Sequence, residues 1–249
     1  MNIVALIPAR GGSKRIRKKN KKILLGKPLI SWTIETAKKV KEISGIFVST
    51  DDNEIIEIAK RFGACAPWKR PRNLSTDNAS SVDVALHFLN WYEKKISKID
   101  GLLILQPTSP FRKIGSLTKA IKNFKKNKKK SIVSFSPYIS RLLNNPSSPS
   151  KIFKGVTVNK KIIKKRKLEL IYISSKKNKN QVNRLNLKKL SLINGSIYLS
   201  SPKNIKKYKS FSMPDISPLI QNSTLESIDI DTYSDWKKAI SLYKANKKN

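Results

Sequence analysis

The chain has 249 residues, with 53 lysines and arginines against 16 aspartates and glutamates, for a formal net charge of +37. That length suits one large α/β unit with a sizeable core, while a single cysteine, Cys65, excludes an intramolecular disulfide and a single histidine, His87, excludes a multi-histidine metal site. The charge invites a nucleic-acid reading, but the lysines are scattered among Asn, Ile and Ser and aromatics do not interleave with them regularly, so specific nucleic-acid binding is not expected and a basic nucleic-acid-binding protein stands as the alternative of another class.

The run Ile3–Ile7 is short, unbroken and rich in β-branched residues, which predicts a strand buried on both faces. It enters Pro8-Ala9-Arg10-Gly11-Gly12-Ser13-Lys14-Arg15. A loop there lies at the carboxyl edge of an open α/β sheet, where ligands bind. Its glycines would let backbone N–H groups approach a phosphate, and Arg10, Lys14 and Arg15 add positive charge. The competing reading is a tight turn that uses glycine for its backbone freedom. Neither the phosphate-loop nor the dinucleotide glycine spacing is present.

Gly26 and Pro28 mark a turn and a helix start, and Leu29, Trp32, Thr33, Thr36, Ala37 and Val40 predict a helix to about Ile43. Ile46–Thr50 reads as the second strand, ending in Asp51-Asp52, either of which can cap the next helix. A polar loop with Arg70 and Arg72 leads to Ala79-Ser80-Ser81. The helix beyond it is expected to turn Val82, Ala85, Leu86, Leu89 and Tyr92 inward, with His87 a packing or surface residue. Leu102–Gln106 is a further strand, running into the stiff loop Pro107-Thr108-Ser109-Pro110-Phe111-Arg112. A helix from Ile114 to Asn127, with Leu117, Ala120, Ile121 and Phe124 inward, precedes a strand at Ser131–Ser136. This βαβαβ alternation predicts a mainly parallel, doubly wound sheet.

From Pro137 to Leu192 the pattern loosens, with short strands expected near Ile152–Val158 and Leu168–Ile173. The segment cannot build its own core, yet is too apolar for plain linker. It is expected to project and pack on a partner subunit, the alternative being a lysine-rich disordered insertion. Asn194–Leu199 returns to a strand, Ser201-Pro202 opens a short helix, and Trp236, Ala239, Ile240 and Tyr243 mark the inner face of a last helix. No run approaches a membrane span and the chain starts on a core strand, so a cytoplasmic protein without membrane insertion is expected. In the extended segment before the last helix, Asp229 and Asp231 project to one side, roughly 6.5–7 Å apart at Cα. Two such carboxylates can hold Mg²⁺ together with phosphate oxygens. Alternatively, Asp231 merely caps the helix.

Four ordered motifs now stand together: Ile7-Pro8-Ala9-Arg10-Gly11-Gly12-Ser13-Lys14-Arg15-Ile16, Leu105–Arg112, Asn194-Gly195-Ser196-Ile197-Tyr198 and Ser227-Ile228-Asp229-Ile230-Asp231. In this order the chain resembles the acylneuraminate (CMP-sialic acid, nonulosonic acid) cytidylyltransferases over nearly its whole length. The resemblance implies a Rossmann-like three-layer α/β sandwich over residues 1–249, with 137–192 as a dimerisation excursion within it. It implies a homodimer that converts CTP and a nonulosonic acid of N-acetylneuraminic or legionaminic type to CMP-sugar and pyrophosphate, with Mg²⁺ as cofactor. By position, Ala9, Arg10, Gly11, Gly12, Ser13, Lys14, Lys19 and Asn20 would hold the nucleotide, joined by Arg70, Ala79, Ser80 and Ser81. Gln106, Thr108, Ser109 and Arg184 would face the sugar, and Asp229 and Asp231 would bind the metal. Arg10, Lys14, Lys19, Asp229 and Asp231 would carry the chemistry. The chain departs from the family pattern at Arg17, which stands where a proline is usual, and between Arg184 and Asn194, where Leu187-Lys188 replaces Leu-Pro and Ser191 an aromatic. These departures fall on the sugar pocket and dimer contact more than on the nucleotide site. A 3-deoxy-octulosonate enzyme would carry Gln-Gly-Asp-Glu-Pro where Leu105–Pro110 stands, so it ranks below; a pseudaminate enzyme is a nearer alternative.

Overall fold

The first strand, β1 (Ile3–Pro8), is the hub of the sheet. Its side chains alternate between two cores, Ile3, Ala5 and Ile7 facing one and Val4 and Leu6 the other, as the pleat of a strand requires. The run shows no polar alternation because helices cover both faces. The computed structural model describes residues 1–127, 131–137, 151–154, 169–172, 190–211, 213 and 216–248.

After β1, a ribbon of β2 (Ile23–Leu24) and β3 (Lys27–Pro28) turns at Leu25 and Gly26, both at positive φ (51° and 89°). Glycine takes that conformation without Cβ strain. α1 (Leu29–Lys38) follows, then β4 (Gly45–Ser49) and α2 (Asn53–Arg61). α3 (Ser81–Lys95), β5 (Gly101–Ile104) and α4 (Ile114–Lys126) complete the amino-terminal half. β4 and β5 flank β1 on opposite sides, both parallel to it. α1, α2 and α4 fill the first core and α3 the second, giving three layers. β1 is therefore a point where strand order reverses, and the loops at the carboxyl ends of β1, β4 and β5 open onto one crevice.

The second half adds β6 (Ser131–Pro137), β7 (Lys151–Lys154), β8 (Glu169–Tyr172), β9 (Leu190–Ser200), α5 (Pro202–Tyr208), β10 (Ile216–Ile220) and α6 (Tyr233–Lys248). The main path runs β10-β6-β9-β5-β1-β4. Most neighbours are parallel, but β9 runs antiparallel to both β5 and β6. β7 pairs antiparallel with β9 and β8, so both short strands expected in the 137–192 segment are present among the described residues, at Lys151–Lys154 and Glu169–Tyr172. The remainder of that segment up to 189, Arg184 included, lies outside the described residues. The Asn194-Gly195-Ser196 run is a bulge rather than plain strand. Register shifts opposite Ser134, whose hydroxyl donates to Asn194 Oδ1 at 2.5 Å and accepts from the Ile197 N–H at 2.8 Å. Gly195 sits there at φ 74°.

Two helix expectations need correction. α1 ends at Lys38 rather than near Ile43, because Val40 and Ile43 donate to carbonyls three residues back and tighten the chain into turns. In α3 the innermost stripe is Val84, Ala85, Phe88, Leu89 and Tyr92, with Val82 and Leu86 at its margin. Both stripes are apolar, and Phe88 is drawn in by its ring contact with Phe47, centroids 5.2 Å apart. Among the described residues no helix is long and apolar enough to cross a membrane.

Candidate active site

The glycine-basic loop leaves β1 at the carboxyl edge and is braced from below. The Gly11 N–H donates to Asp51 Oδ1 at 2.8 Å, and Asn20 Nδ2 to the Arg10 carbonyl at 2.9 Å. The Asp51-Asp52 pair thus splits its work. Asp52 is the N-cap of α2, accepting from Glu54 N and Ile55 N, and its other oxygen takes Lys21 Nζ at 2.8 Å. A Cβ on Gly11 would stand 2.8 Å from Asp52 Oδ2, so only glycine fits over this carboxylate. Asn20 and Lys21 thus anchor the far side of the loop to Arg10 and Asp52. Burial pushes the Asp52 carboxyl up, but Lys21 and the Ile55 N–H outweigh it and hold it below the ordinary 3.8. A carboxyl so lowered adds stability above its unfolded value and loses it as pH falls through the folded one. Asp52→Ala is therefore expected to cost about 1 kcal/mol at neutral pH, the scale of a lost cap. Urea melts should show the gap from wild type closing as pH drops below 3.8.

A third apolar core places the carboxyl-terminal aspartates against this loop. Ile16 from the loop, Leu24 and Leu29 pack with Ile228, Ile230, Trp236 and Ala239. Ile228 and Ile230 point in, so Asp229 and Asp231 lie on the more open side, as the alternation predicted. Lys19 Nζ donates to Asp231 Oδ1 and to the Ile230 carbonyl, both at 2.9 Å, and Arg15 Nη1 reaches Asp231 Oδ2 at 3.3 Å. Asp231 does not cap α6. That role falls to Thr232 and Asp235, which form a reciprocal capping box, Thr232 N donating to Asp235 Oδ2 at 2.8 Å and Asp235 N to Thr232 Oγ1 at 3.3 Å.

The Leu105–Arg112 loop joins the same edge. The Ile230 N–H donates to the Thr108 carbonyl at 2.8 Å. Arg112, 3% exposed, spreads beneath: Nη2 to the Gln106 carbonyl (2.7 Å), Nε to the Ser196 carbonyl (2.9 Å) and Nη1 to Thr33 Oγ1 (3.2 Å). Burial drops its guanidinium to about 9, opposed by the charges of Glu226 and Asp229. Glu226 in turn accepts from Lys113 N and Ser116 Oγ, and Gln221 links it to Asn194. One buried polar network thus spans the Leu105–Arg112 loop, the β9 bulge and the aspartate segment. Its motif was visible in the sequence, but the burial of Arg112 was not.

These elements enclose a cavity of about 600 Å³, a volume suited to small ligands. Arg10, Ser13, Lys14, Lys19 and Asn20 line one side, and Arg70, Ala79 and Ser81 another. Gln106, Thr108 and Asp231 complete it. Arg70 is 6% exposed, bonded through Nη1 and Nη2 to the Leu74 and Ser49 carbonyls, while its Nε is buried without a partner. Desolvation lowers it to about 10, with Asp51 opposing, so it is a cation at neutral pH. Thr108 Oγ1 is likewise buried and unpartnered. Other predicted residues stand behind the wall. Ala9 is core, with its N–H on the Ser49 carbonyl at 2.9 Å. Ser80 is the N-cap of α3 in a capping box with Asp83. Ser109 is buried, Gly11 is committed to Asp51, and Gly12 and Asp229 do not line the cavity. Sequence reasoning missed Asp51 and also Asp77, which ion-pairs with Arg10 at 2.7 Å and Lys14 at 2.5 Å. His87 packs on Trp68, ring centroids 5.6 Å apart, and burial, with the nearby Arg70 charge, pushes its imidazole below the ordinary value. A larger open groove of about 1210 Å³, lined by Arg17, Lys18, Lys22, Arg61 and Tyr233 among others, holds none of the predicted site residues.

Comparison with known proteins gives one consistent result. The model of the cytidylyltransferase family matches residues 4–244. The chain is 36% identical to the CMP-N,N'-diacetyllegionaminic acid synthase of Legionella pneumophila, over 99% of this chain and 98% of that one. It is 41% identical to a pseudaminic acid cytidylyltransferase of Campylobacter jejuni, over 52% of this chain and 56% of the relative. Among solved structures, a CMP:2-keto-3-deoxy-manno-octonic acid synthetase complexed with CTP superposes at a TM-score of 0.70 and 19% identity, covering 99% of this chain and 100% of that one.

Proposed function

The chain belongs to the cytidylyltransferase family, and from that premise we propose that it transfers CMP from CTP to the anomeric hydroxyl of a nonulosonic acid, with pyrophosphate as the second product. The observation that carries this reading is the cavity itself, where Arg10, Lys14, Lys19 and Arg70 face Gln106, Thr108 and Asp231 across one crevice. The full-length likeness to a CMP-N,N'-diacetyllegionaminic acid synthase favours a sugar of the legionaminic type. The half-length matches to pseudaminic and N-acylneuraminate enzymes keep those acids as the alternatives.

In this reading the sugar hydroxyl attacks the α-phosphorus, a new P–O bond forms, and the bond to the β-phosphate oxygen breaks as pyrophosphate leaves. Negative charge builds on the α-phosphate and the leaving group. Arg10, Lys14 and Lys19 stabilise it from fixed positions, because the loop that bears them is already braced by Asp51 and Asn20. Arg70 and the Ala79–Ser81 turn hold the cytidine, and the buried Nε–H of Arg70 is an available donor. Gln106 and Thr108 face the sugar. The clamp for its carboxylate is assigned to Arg184.

Mg²⁺ is the implied cofactor. Asp231 lines the cavity, its oxygens held by Lys19 and Arg15, and supplies a hard oxygen donor there, while Asp229, two residues away and near the buried Arg112, is the second carboxylate of the proposed pair. That set fits a cation that takes one or two carboxylates and fills its octahedron with water and phosphate. When bound, the ion would neutralise charge on the phosphates. A homodimer built through the 137–192 segment and a cytoplasmic location complete the reading.

The test is a pyrophosphate-release assay with Mg²⁺, each nucleoside triphosphate in turn, and a panel of nonulosonic acids. Release with CTP and the legionaminic acid, well above UTP, ATP or GTP, is the expected outcome. Silence with CTP and every acid of the panel would sink the proposal.

A further inference from the structure

The two cations that the cavity offers first to a polyanion are already engaged. Arg10 Nη1 lies 2.7 Å from Asp77 Oδ1, and Lys14 Nζ lies 2.5 Å from Asp77 Oδ2. Each oxygen of one carboxylate therefore occupies one phosphate-binding side chain. Asp77 belongs to the polar loop between the short 3-10 turn Arg72–Leu74 and α3. It lines the cavity with Thr76 and Ala79 of the same loop and with Ser81 at the start of α3. Any ligand that reaches Arg10 and Lys14 must take them from this carboxylate, and must touch the loop that carries it. The bracing contacts elsewhere in the site differ in kind: Asp51 and Asn20 hold backbone groups of the loop, whereas Asp77 holds the side chains that point at a ligand.

We propose that Asp77 is a specificity-determining counter-ion, a carboxylate that competes with incoming phosphates for Arg10 and Lys14. The inference rests on reading the cavity as the nucleotide site. A single carboxylate carries one negative charge and makes one contact to each cation. A nucleoside triphosphate brings several charges and a longer chain of oxygens, so it displaces Asp77 at modest cost. Monophosphate and sulfate carry fewer charges, and pyrophosphate has a shorter chain and no nucleoside to hold, so each gains less from the exchange. The counter-ion therefore raises the threshold for anions held by fewer contacts and eases release of the pyrophosphate product. Asp77 is 44% exposed in its side chain, so displacing it breaks no core packing.

The test compares wild type with Asp77→Asn, which keeps the shape of the side chain and removes its charge, and with Asp77→Glu, which keeps the charge. Titration calorimetry at fixed salt, in EDTA, uses inorganic pyrophosphate and CTP as the probes. Asp77→Asn is expected to bind pyrophosphate about two- to tenfold more tightly, the scale set by freeing two exposed ion pairs. Its gain for CTP should be smaller, and Asp77→Glu should stay near wild type. In turnover, pyrophosphate should inhibit Asp77→Asn at correspondingly lower concentration. The gain should shrink in a Lys14→Ala background, because the competing contact is then half gone. Unchanged or weaker pyrophosphate binding by Asp77→Asn, beside clear binding by wild type, overturns the counter-ion role alone. Absence of CTP and pyrophosphate binding by wild type, both in EDTA and with Mg²⁺ restored, overturns the nucleotide-site reading, and the counter-ion with it.

Discussion

Asp231→Asn is expected to lower the rate of CMP transfer by about a hundredfold or more, the usual scale for losing one preorganised charge at a reacting centre, while thermal unfolding stays near wild type. The two halves of that result have separate physical grounds. Asparagine matches aspartate in shape but loses the charge that pairs with Lys19 and Arg15 and that would help hold Mg²⁺. Stability is spared because the α6 capping box belongs to Thr232 and Asp235, and because the Asp231 side chain is 39% exposed, where ion pairs contribute little to folding. Full activity in the variant would remove Asp231 from the site.

Arg112→Met should act in the opposite order, on stability first. Methionine fills a comparable volume but leaves the carbonyls of Gln106 and Ser196, and the nearby carboxylates of Glu226 and Asp229, without their cation. Removing one partner from a buried charged network costs roughly 3–5 kcal/mol. A calorimetric midpoint well below wild type is the expected readout, with Arg112→Lys only partly restoring it because one ammonium cannot reach three separate acceptors. A midpoint within a degree of wild type would mean that the network does not hold the two loops together.

Both changes fall on motifs that stand out in the sequence, yet the sequence shows their parts unevenly. β1, β4 and β5 were legible because helices cover both faces and the strands read as plain apolar runs. α4 was legible because its charged and apolar faces separate cleanly, and Leu117, Ala120, Ile121 and Phe124 are indeed its buried side. The direction of β9 was not, because a strand's own residues do not record which neighbours it joins. The α3 face was misjudged because both candidate stripes are apolar and an aromatic neighbour from β4 decides between them.

The site divides in the same way. The alternation of Asp229 and Asp231 with buried isoleucines was legible from a period of two, but of the two aspartates only Asp231 lines the cavity. Asp51 was read as a candidate cap. Its contact with Gly11 depends on β4 lying beside β1, which is a property of the sheet rather than of either segment. Asp77 carried no local signal among its polar neighbours, for it meets Arg10 and Lys14 across the crevice. Arg112 sits in a motif that announced a loop, while the burial of its guanidinium needed the β9 bulge and α1 to be in place.

Phosphorus NMR of the complete reaction follows CMP transfer and pyrophosphate release in one sample. With enzyme, Mg²⁺, CTP and N,N'-diacetyllegionaminic acid, the triphosphate resonances should give way to one phosphodiester signal and free pyrophosphate in equal amounts. Omitting the sugar should leave CTP intact. Conversion of CTP to CDP and phosphate, or no change with any nonulosonic acid supplied, would contradict the account.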